Sequence, residues 1–308
     1  MTSDRTAWQQ HMDDAEALLR TAETTQDVAA AADATMRFRA ALDEVSRTAA
    51  PEDWATTQTR LSAAVRLLGA LADDIELLHD AVQVSETALT AISRDSTPQL
   101  WARANAALGA AHVVLGERKG DTRCLTAAAA AYHAAARGYP RDQFPLDWAR
   151  MRRNRGAALS LLGEIANDTD ALLEAIDSYQ AALDVYTRDA TPADWAMTQN
   201  NLAQALRLLG ERTRDPLYLR EAIAAGEAAL AVTGRDVAPQ DWAMTTTNLA
   251  NAMVALAELE DDPDRLRAAI AAYQGAIAAL PGPQWLRQRA TVRLNLMRAE
   301  QRLAARGP

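Results

Sequence analysis

The chain of 308 residues contains one cysteine, two phenylalanines and four histidines. A lone cysteine, Cys124, closes no internal disulfide and supplies no set of thiolate metal ligands. The histidines His11, His79, His112 and His133 share no register with one another, and no HExxH, CxxC, GxSxG or phosphate-loop glycine pattern occurs. No metal, cofactor or catalytic constellation is expected, and the chain reads as a non-enzyme. Glycine and proline number 13 and 11, too few for a turn-rich β fold. No apolar run reaches the length of about 18 residues that a membrane span needs. The richest stretch, Thr126 to Ala136, is short and broken by Tyr132 and His133. The opening segment MTSDRTAWQQHMDD is polar and acidic, unlike a secretory signal. Lys plus Arg total 32 against 41 Asp plus Glu, a net charge of −9 that repels polyanions. Neither nucleic acid nor a membrane is therefore an expected partner. The expected location is cytoplasmic.

What the chain does have is alanine and leucine, which make up most of its 49% hydrophobic content. Both lead the helix-propensity ranking, while strand-favouring aromatic and β-branched residues are scarce. The composition indicates an all-α protein.

The tryptophans expose an internal repeat. Trp54, Trp101, Trp148, Trp195 and Trp242 stand 47 residues apart, each with a proline three residues before it. Counting from each tryptophan, alanine recurs at plus ten (Ala64, Ala111, Ala158, Ala205, Ala252) and leucine at plus fourteen. Glycine follows at plus fifteen, as Gly69, Gly116, Gly163 and Gly210, with Ala257 the one departure. Aspartate recurs at plus twenty (Asp74, Asp121, Asp168, Asp215, Asp262) and leucine at plus twenty-four (Leu78, Leu125, Leu172, Leu219, Leu266). Two further alanine columns, Ala81 through Ala269 and Ala88 through Ala276, flank a ring position held by Tyr132, Tyr179 and Tyr273 and replaced by Ser85 and Gly226.

These columns spell a helix pair. Thr97-Pro98 and Thr191-Pro192 offer a capping hydroxyl before a proline suited to the first helical turn. A first helix of about 17 residues is expected to end at the Leu-Gly pair, the glycine turning left-handed. The aspartate at plus twenty caps the second helix, whose Leu, Ala, Tyr and Ala fall on one stripe. Shifting the frame back by one repeat places Asp27, Ala34, Phe38 and Ala41 in the cap, alanine, ring and alanine columns. Asp13 and Asp14 in its first helix suit a solvated cap. Asn295-Leu296, Ala299 and Leu303 continue the frame into a last unpaired helix, whose Arg287, Arg289, Arg293, Arg298, Arg302 and Arg306 suit a polar outer face. The expected architecture is one domain over residues 1–308: helix pairs at 4–50, 51–97, 98–144, 145–191, 192–238 and 239–282, and a capping helix at 283–306.

Asn201-Leu202-Ala203 through Ala269-Tyr273-Ala276-Pro281 resembles the tetratricopeptide motif, in a long-period bacterial form. The period here is longer than the family's, which implies longer helices and links. The resemblance implies a right-handed α-α superhelix that binds peptides or proteins on its concave face. The family's groove positions fall at plus two, five, nine and twelve from each tryptophan. They give Arg66, Arg103, Arg150, Arg153, Asn200, Gln204, Arg207 and Asn251 as the candidate contact residues. Arg150 and Arg153 share one helical face, and an arginine ladder in an acidic protein suits a carboxylate or phosphate, which guanidinium holds bidentately. A partner with an acidic or carboxylate-bearing segment is the expectation, against the alternative that the basic run is a solvated or ion-paired face.

Two residues break their columns. Arg155 stands where Leu61, Leu108, Leu202 and Leu249 do, so an acid such as Glu174 or Asp177 should meet it or the groove should reach it. His112 replaces an apolar residue and reads as structural. The acidic clusters Asp73-Asp74 and Glu260-Asp261-Asp262 read as capping loops. Three roles remain open: a protein- or peptide-binding scaffold, a ligand-sensing regulatory subunit acting through another polypeptide, and an unconventional enzyme or accessory subunit using the groove. The oligomeric state is left open.

Overall fold

The computed structural model describes residues 2–306, with side chains from Thr6 onward. Among them every regular element is helical. The helices are α1 (Thr2–Thr25), α2 (Val28–Asp43), α3 (Pro51–Ala72), α4 (Ile75–Leu89), α5 (Pro98–Lys119), α6 (Thr122–Arg137), α7 (Pro145–Ala166), α8 (Thr169–Leu183), α9 (Pro192–Thr213), α10 (Pro216–Leu230), α11 (Pro239–Glu260), α12 (Pro263–Ala278) and α13 (Leu286–Ala304), with a single 3-10 turn at Pro283–Trp285. None is long and apolar enough to cross a membrane. The helices gather into two compact units, Met1–Ala166 and Asn167–Pro308.

The first helix of each pair is longer than the expected 17 residues. α3, α5, α7, α9 and α11 each run 22, past the Leu-Gly pair by a full turn. The glycine therefore lies inside the helix, and the left-handed residue comes four positions later. Asp73, Gly120, Asn167, Arg214 and Asp261 hold that position with φ between 53° and 62°. The glycine serves two other ends. Its carbonyl accepts the backbone N–H of the capping aspartate, at 2.9 Å from Asp74 to Gly69, 3.0 Å from Asp121 to Gly116 and 3.1 Å from Asp215 to Gly210. Its missing side chain admits the leucine of the second helix: a Cβ on Gly116 would stand 2.9 Å from Leu125, and one on Gly210 would stand 2.8 Å from Leu219.

The aspartate at plus twenty caps the second helix as its spacing requires. Asp27, Asp74, Asp121, Asp168, Asp215 and Asp262 each accept a backbone N–H of the first turn. Such a cap contributes about 1 kcal/mol. The threonines before the prolines do not cap. Thr97 Oγ1 donates instead to the Ser93 carbonyl at 3.1 Å, and Thr191 Oγ1 accepts the Thr187 N–H at 3.1 Å. They brace the link that leads into the helix.

Each link back to a first helix repeats one five-residue turn. Thr97 N–H donates to the Ser93 carbonyl, Thr191 to Thr187 and Ala238 to Gly234, all at 2.9 to 3.0 Å. An arginine seven residues before the tryptophan lies over its ring: Arg47 on Trp54 at 5.1 Å, Arg141 on Trp148 at 5.0 Å and Arg235 on Trp242 at 5.3 Å. The half-buried ring is thus roofed by a cation, a contact worth about 0.5 to 1 kcal/mol where solvent reaches it.

Burial follows the columns of the second helices closely. The leucines at plus twenty-four and both alanine columns of the second helices have no exposed surface. The frame extends to the first pair, where Ala34, Phe38 and Ala41 are equally buried. Where serine replaces tyrosine, Ser85 meets the Ser62 hydroxyl at 2.6 Å, and Ser62 also donates to the Ala81 carbonyl at 2.8 Å. The closing helix is held by some of the arginines expected on its outer face. Arg302 pairs with Glu258 at 2.6 Å, and Arg306 pairs with Asp261 at 3.1 Å while donating to the Ala257 carbonyl at 3.0 Å. Arg118 makes the same reach within the first unit, to Asp73 and the Ala70 carbonyl.

Gly138 offers a sharp test of this packing. Its φ of −89° suits any residue, yet a Cβ there would stand 2.4 Å from the Pro98 carbonyl oxygen and 2.7 Å from Ala102. Gly138→Ala should destabilise the protein by about 2 kcal/mol or more in urea unfolding. Gly120→Asn should cost less than about 1 kcal/mol, since Gly120 meets open space and Asn167 holds the equivalent left-handed position.

Candidate functional site

Within each unit the first helices of successive pairs touch one another, α1 with α3, α3 with α5 and α5 with α7, then α9 with α11 and α11 with α13. Within each unit no two second helices are in contact among the described residues. A stack that is closer on one side curves toward that side, so the first helices line the concave face of each unit. Several of the positions at plus two, five, nine and twelve border cavities between these helices.

In the first unit those positions enclose a cavity of about 400 Å³. Arg103 and Arg150 stand at plus two, Thr59 and Ala106 at plus five, Ala63 and Ala110 at plus nine, and Arg66 at plus twelve. The structure thus brings together three of the arginines read from the sequence. Arg153, one turn beyond Arg150, is half-buried and lies outside the lining. Residues that sequence reasoning had treated as packing or passed over complete the wall: Arg60, Leu100, Tyr132, Tyr139 and Asn154. No carboxylate, histidine or cysteine lines it.

The four guanidinium groups differ in what compensates them. Arg60 pairs with Glu16 at 2.8 Å. Arg150 pairs with Asp147 at 2.7 Å. Among the described residues Arg66 and Arg103 have no ion-pair or hydrogen-bond partner. Tyr132 is 6% exposed, its ring packed on Gly109, where an added Cβ would stand 3.1 Å away. Burial pushes its phenol up to about 12, with Arg66 and Arg150 pulling the other way, so the hydroxyl keeps its proton at neutral pH.

A comparison within the repeat explains why that hydroxyl stands alone. In the second unit Tyr273 donates to Asn251 Oδ1 at 2.6 Å. Asn251 sits at plus nine of its repeat, and the same position of the Tyr132 repeat is Ala110. Tyr132 accordingly has no hydrogen-bond partner among the described residues.

The remaining sequence candidates fall in the second unit and serve mostly to tie pairs together. Asn248 Nδ2 donates to Asn200 Oδ1 at 3.1 Å, and Asn295 Nδ2 donates to Asn251 Oδ1 at 3.1 Å. Arg207 is held by Glu211 at 2.7 and 2.8 Å. Asn200 also borders a second cavity of about 310 Å³, which Gln204, Arg207 and Asn251 do not line. Met197, Met244 and Val237 make that cavity largely apolar, with Asp241 its single charge. No protein-family model matches the chain, and no curated protein is similar to it.

Other polar features resolve into packing. Glu260 takes Arg220 and Arg265, Asp261 takes Arg306, and Asp262 caps α12. The Arg265 guanidinium holds Glu260 below the usual carboxylate range. No group of three or more His, Cys, Asp or Glu able to hold a metal gathers among the described residues. Burial pushes the Cys124 thiol up, which keeps it protonated. Arg155 is half-buried, and with Arg152 and Arg137 it supports the lowered pKa of His133, whose first cause is burial.

Two predictions follow from these contacts. Tyr273→Phe removes a made hydrogen bond and should cost about 1 kcal/mol, whereas Tyr132→Phe removes none and should leave urea stability unchanged. Burial lowers the pKa of His112, Glu86 opposes that, and His79 adds to it. The unfolded chain therefore binds this proton more tightly, and stability should fall as pH drops through the ordinary histidine range near 6.5. His112→Leu, which restores the apolar character of the column, should flatten that fall in a pH series of unfolding curves.

Proposed function

We propose that this chain is a protein- or peptide-binding scaffold of the tetratricopeptide-like class, which holds its partner on the concave faces of its first helices. One observation carries the reading. The residues that repeat every 47 positions are mostly consumed by packing, whereas most of those that border the two cavities vary from repeat to repeat. A scaffold needs that division, because its partner must be recognised by residues the fold does not require. The two cavities differ in chemistry, basic in the first unit and apolar in the second, which suits a partner with an acidic portion and an apolar portion.

A ligand-sensing regulatory subunit is the second reading. The cavity of about 400 Å³ favours it, since that volume falls in the range of small-molecule sites. We place catalysis behind both, because the lining of neither cavity pairs a nucleophile with a base. The long-period bacterial form of the repeat and a cytoplasmic setting belong to the same proposal.

Affinity capture from the native host with wild-type protein and with Arg103→Glu/Arg150→Glu tests the scaffold reading. The same specific partner should be retained by the wild type and lost by the variant. Equal capture by both would remove the concave face of the first unit from the interface.

A further inference from the structure

We propose that the cavity of the first unit is a binding site for a phosphomonoester dianion. This deepens the scaffold reading and rests on the concave face being a recognition surface. The first argument is charge. Of the four guanidinium groups at the wall, Arg60 is compensated by Glu16 and Arg150 by Asp147. Arg66 and Arg103 are compensated by nothing among the described residues, and no carboxylate lines the cavity. The site thus carries two positive charges in excess, in a chain whose net charge is −9.

The second argument is a hydroxyl without a protein partner that opens on the cavity. Tyr132 lines the same cavity, is 6% exposed and makes no hydrogen bond among the described residues. The repeat can engage this hydroxyl itself, because Tyr273 donates to Asn251 in the equivalent place. Ala110 stands there instead, leaving a phenolic O–H beside Arg66 and Arg150.

Together these groups are donors in search of acceptors. A monocarboxylate neutralises one excess charge and leaves the other arginine unmatched. A phosphomonoester carries about −1.5 to −2 charges at neutral pH and three acceptor oxygens, enough for both guanidinium forks and the phenol. The volume exceeds that of a bare phosphate and leaves room for the organic group that bears it, framed by Leu100, Ala106 and Tyr139. The ester can be a phosphorylated side chain of a protein partner or a free organic phosphate; the recognition chemistry is shared.

Calorimetric titration of the full chain with phenyl phosphate, and in parallel with benzoate, tests the assignment. Phenyl phosphate should bind saturably and at least about tenfold more tightly than benzoate, because both excess charges are engaged. Arg66→Gln/Arg103→Gln should lose at least about tenfold in phenyl phosphate affinity. Leu217→Ala, at an exposed position that lines neither cavity, should lose none. Arg103 is exposed, so Arg103→Gln alone supplies a variant whose folding is not at stake, with the same direction of effect. Absence of saturable binding up to about 10 mM, a potency no better than that of benzoate, or indifference to the arginine changes would overturn the proposal. If phenyl phosphate fails while partner capture still depends on Arg103 and Arg150, the dianion site falls and the scaffold stands. If capture is also indifferent to those arginines, both fall. Phosphatase treatment before capture separates the sources: a partner then lost assigns a phosphorylated side chain, and a partner retained beside tight phenyl phosphate binding assigns a free ester.

Discussion

Everything in this fold depends on how closely two helices of a pair approach at one point, where the residue fifteen after the tryptophan meets the leucine nine positions later. At Gly116 and Gly210 there is no room for a side chain, because Leu125 and Leu219 occupy the space a Cβ would take. The same residue accepts the N–H of the capping aspartate, so one position fixes both the distance between the helices and the turn that joins them. Burial of the leucine contributes about 2 kcal/mol per pair, and the cap contributes about half as much again. Ala257 fills the position in the fifth repeat and still accepts from Asp262 at 3.0 Å, so the backbone bond survives where the glycine does not.

With stability lodged in that joint and in the alanine columns, the concave face is released from structural duty. The contrast between Tyr132 and Tyr273 makes the point at atomic scale. Both rings fill the same packing position, yet one hydroxyl is tied to Asn251 and the other is left facing a basic cavity. Asn200, Asn248, Asn251 and Asn295 show the opposite use of the same face, where side chains link successive pairs of the second unit. The two units have therefore specialised one scaffold differently, the first toward open basic surface and the second toward internal ties and an apolar recess.

The helix pairs, their six aspartate caps and the buried columns were legible in the sequence, because each is a local consequence of spacing that recurs. The position of the left-handed residue was misjudged by one turn. Leu-Gly is a common way to end a helix, and only the three-dimensional fit of Leu78 or Leu125 reveals that the glycine is needed for contact. The threonines before proline were misread for a similar reason, since their hydroxyls turn back into the link. Among the candidate site residues, Arg66, Arg103 and Arg150 could be placed on one face by arithmetic. The engagement of Asn200 and Asn251 could not, because it depends on neighbours in other helices, whereas Arg207 is held by Glu211 four residues on in its own helix. Tyr132 carried a readable signal, namely an alanine at plus nine where its counterpart has an asparagine. The arginine roof over Trp54, Trp148 and Trp242 was also readable, since Arg47, Arg94, Arg141, Arg188 and Arg235 keep the same 47-residue spacing.

The central claim is that the fold and the recognition surface use separate residues. The thermal unfolding midpoint of a variant carrying Thr56→Ala, Arg66→Ala, Arg103→Ala and Arg150→Ala together measures that separation most directly. These positions contribute no packing column, and the one exposed ion pair lost, Arg150 with Asp147, is worth at most about 1 kcal/mol. The account predicts a midpoint within about 4 °C of the wild type. A fall of more than about 10 °C would contradict it, because the concave arginines would then be part of what holds the helices together.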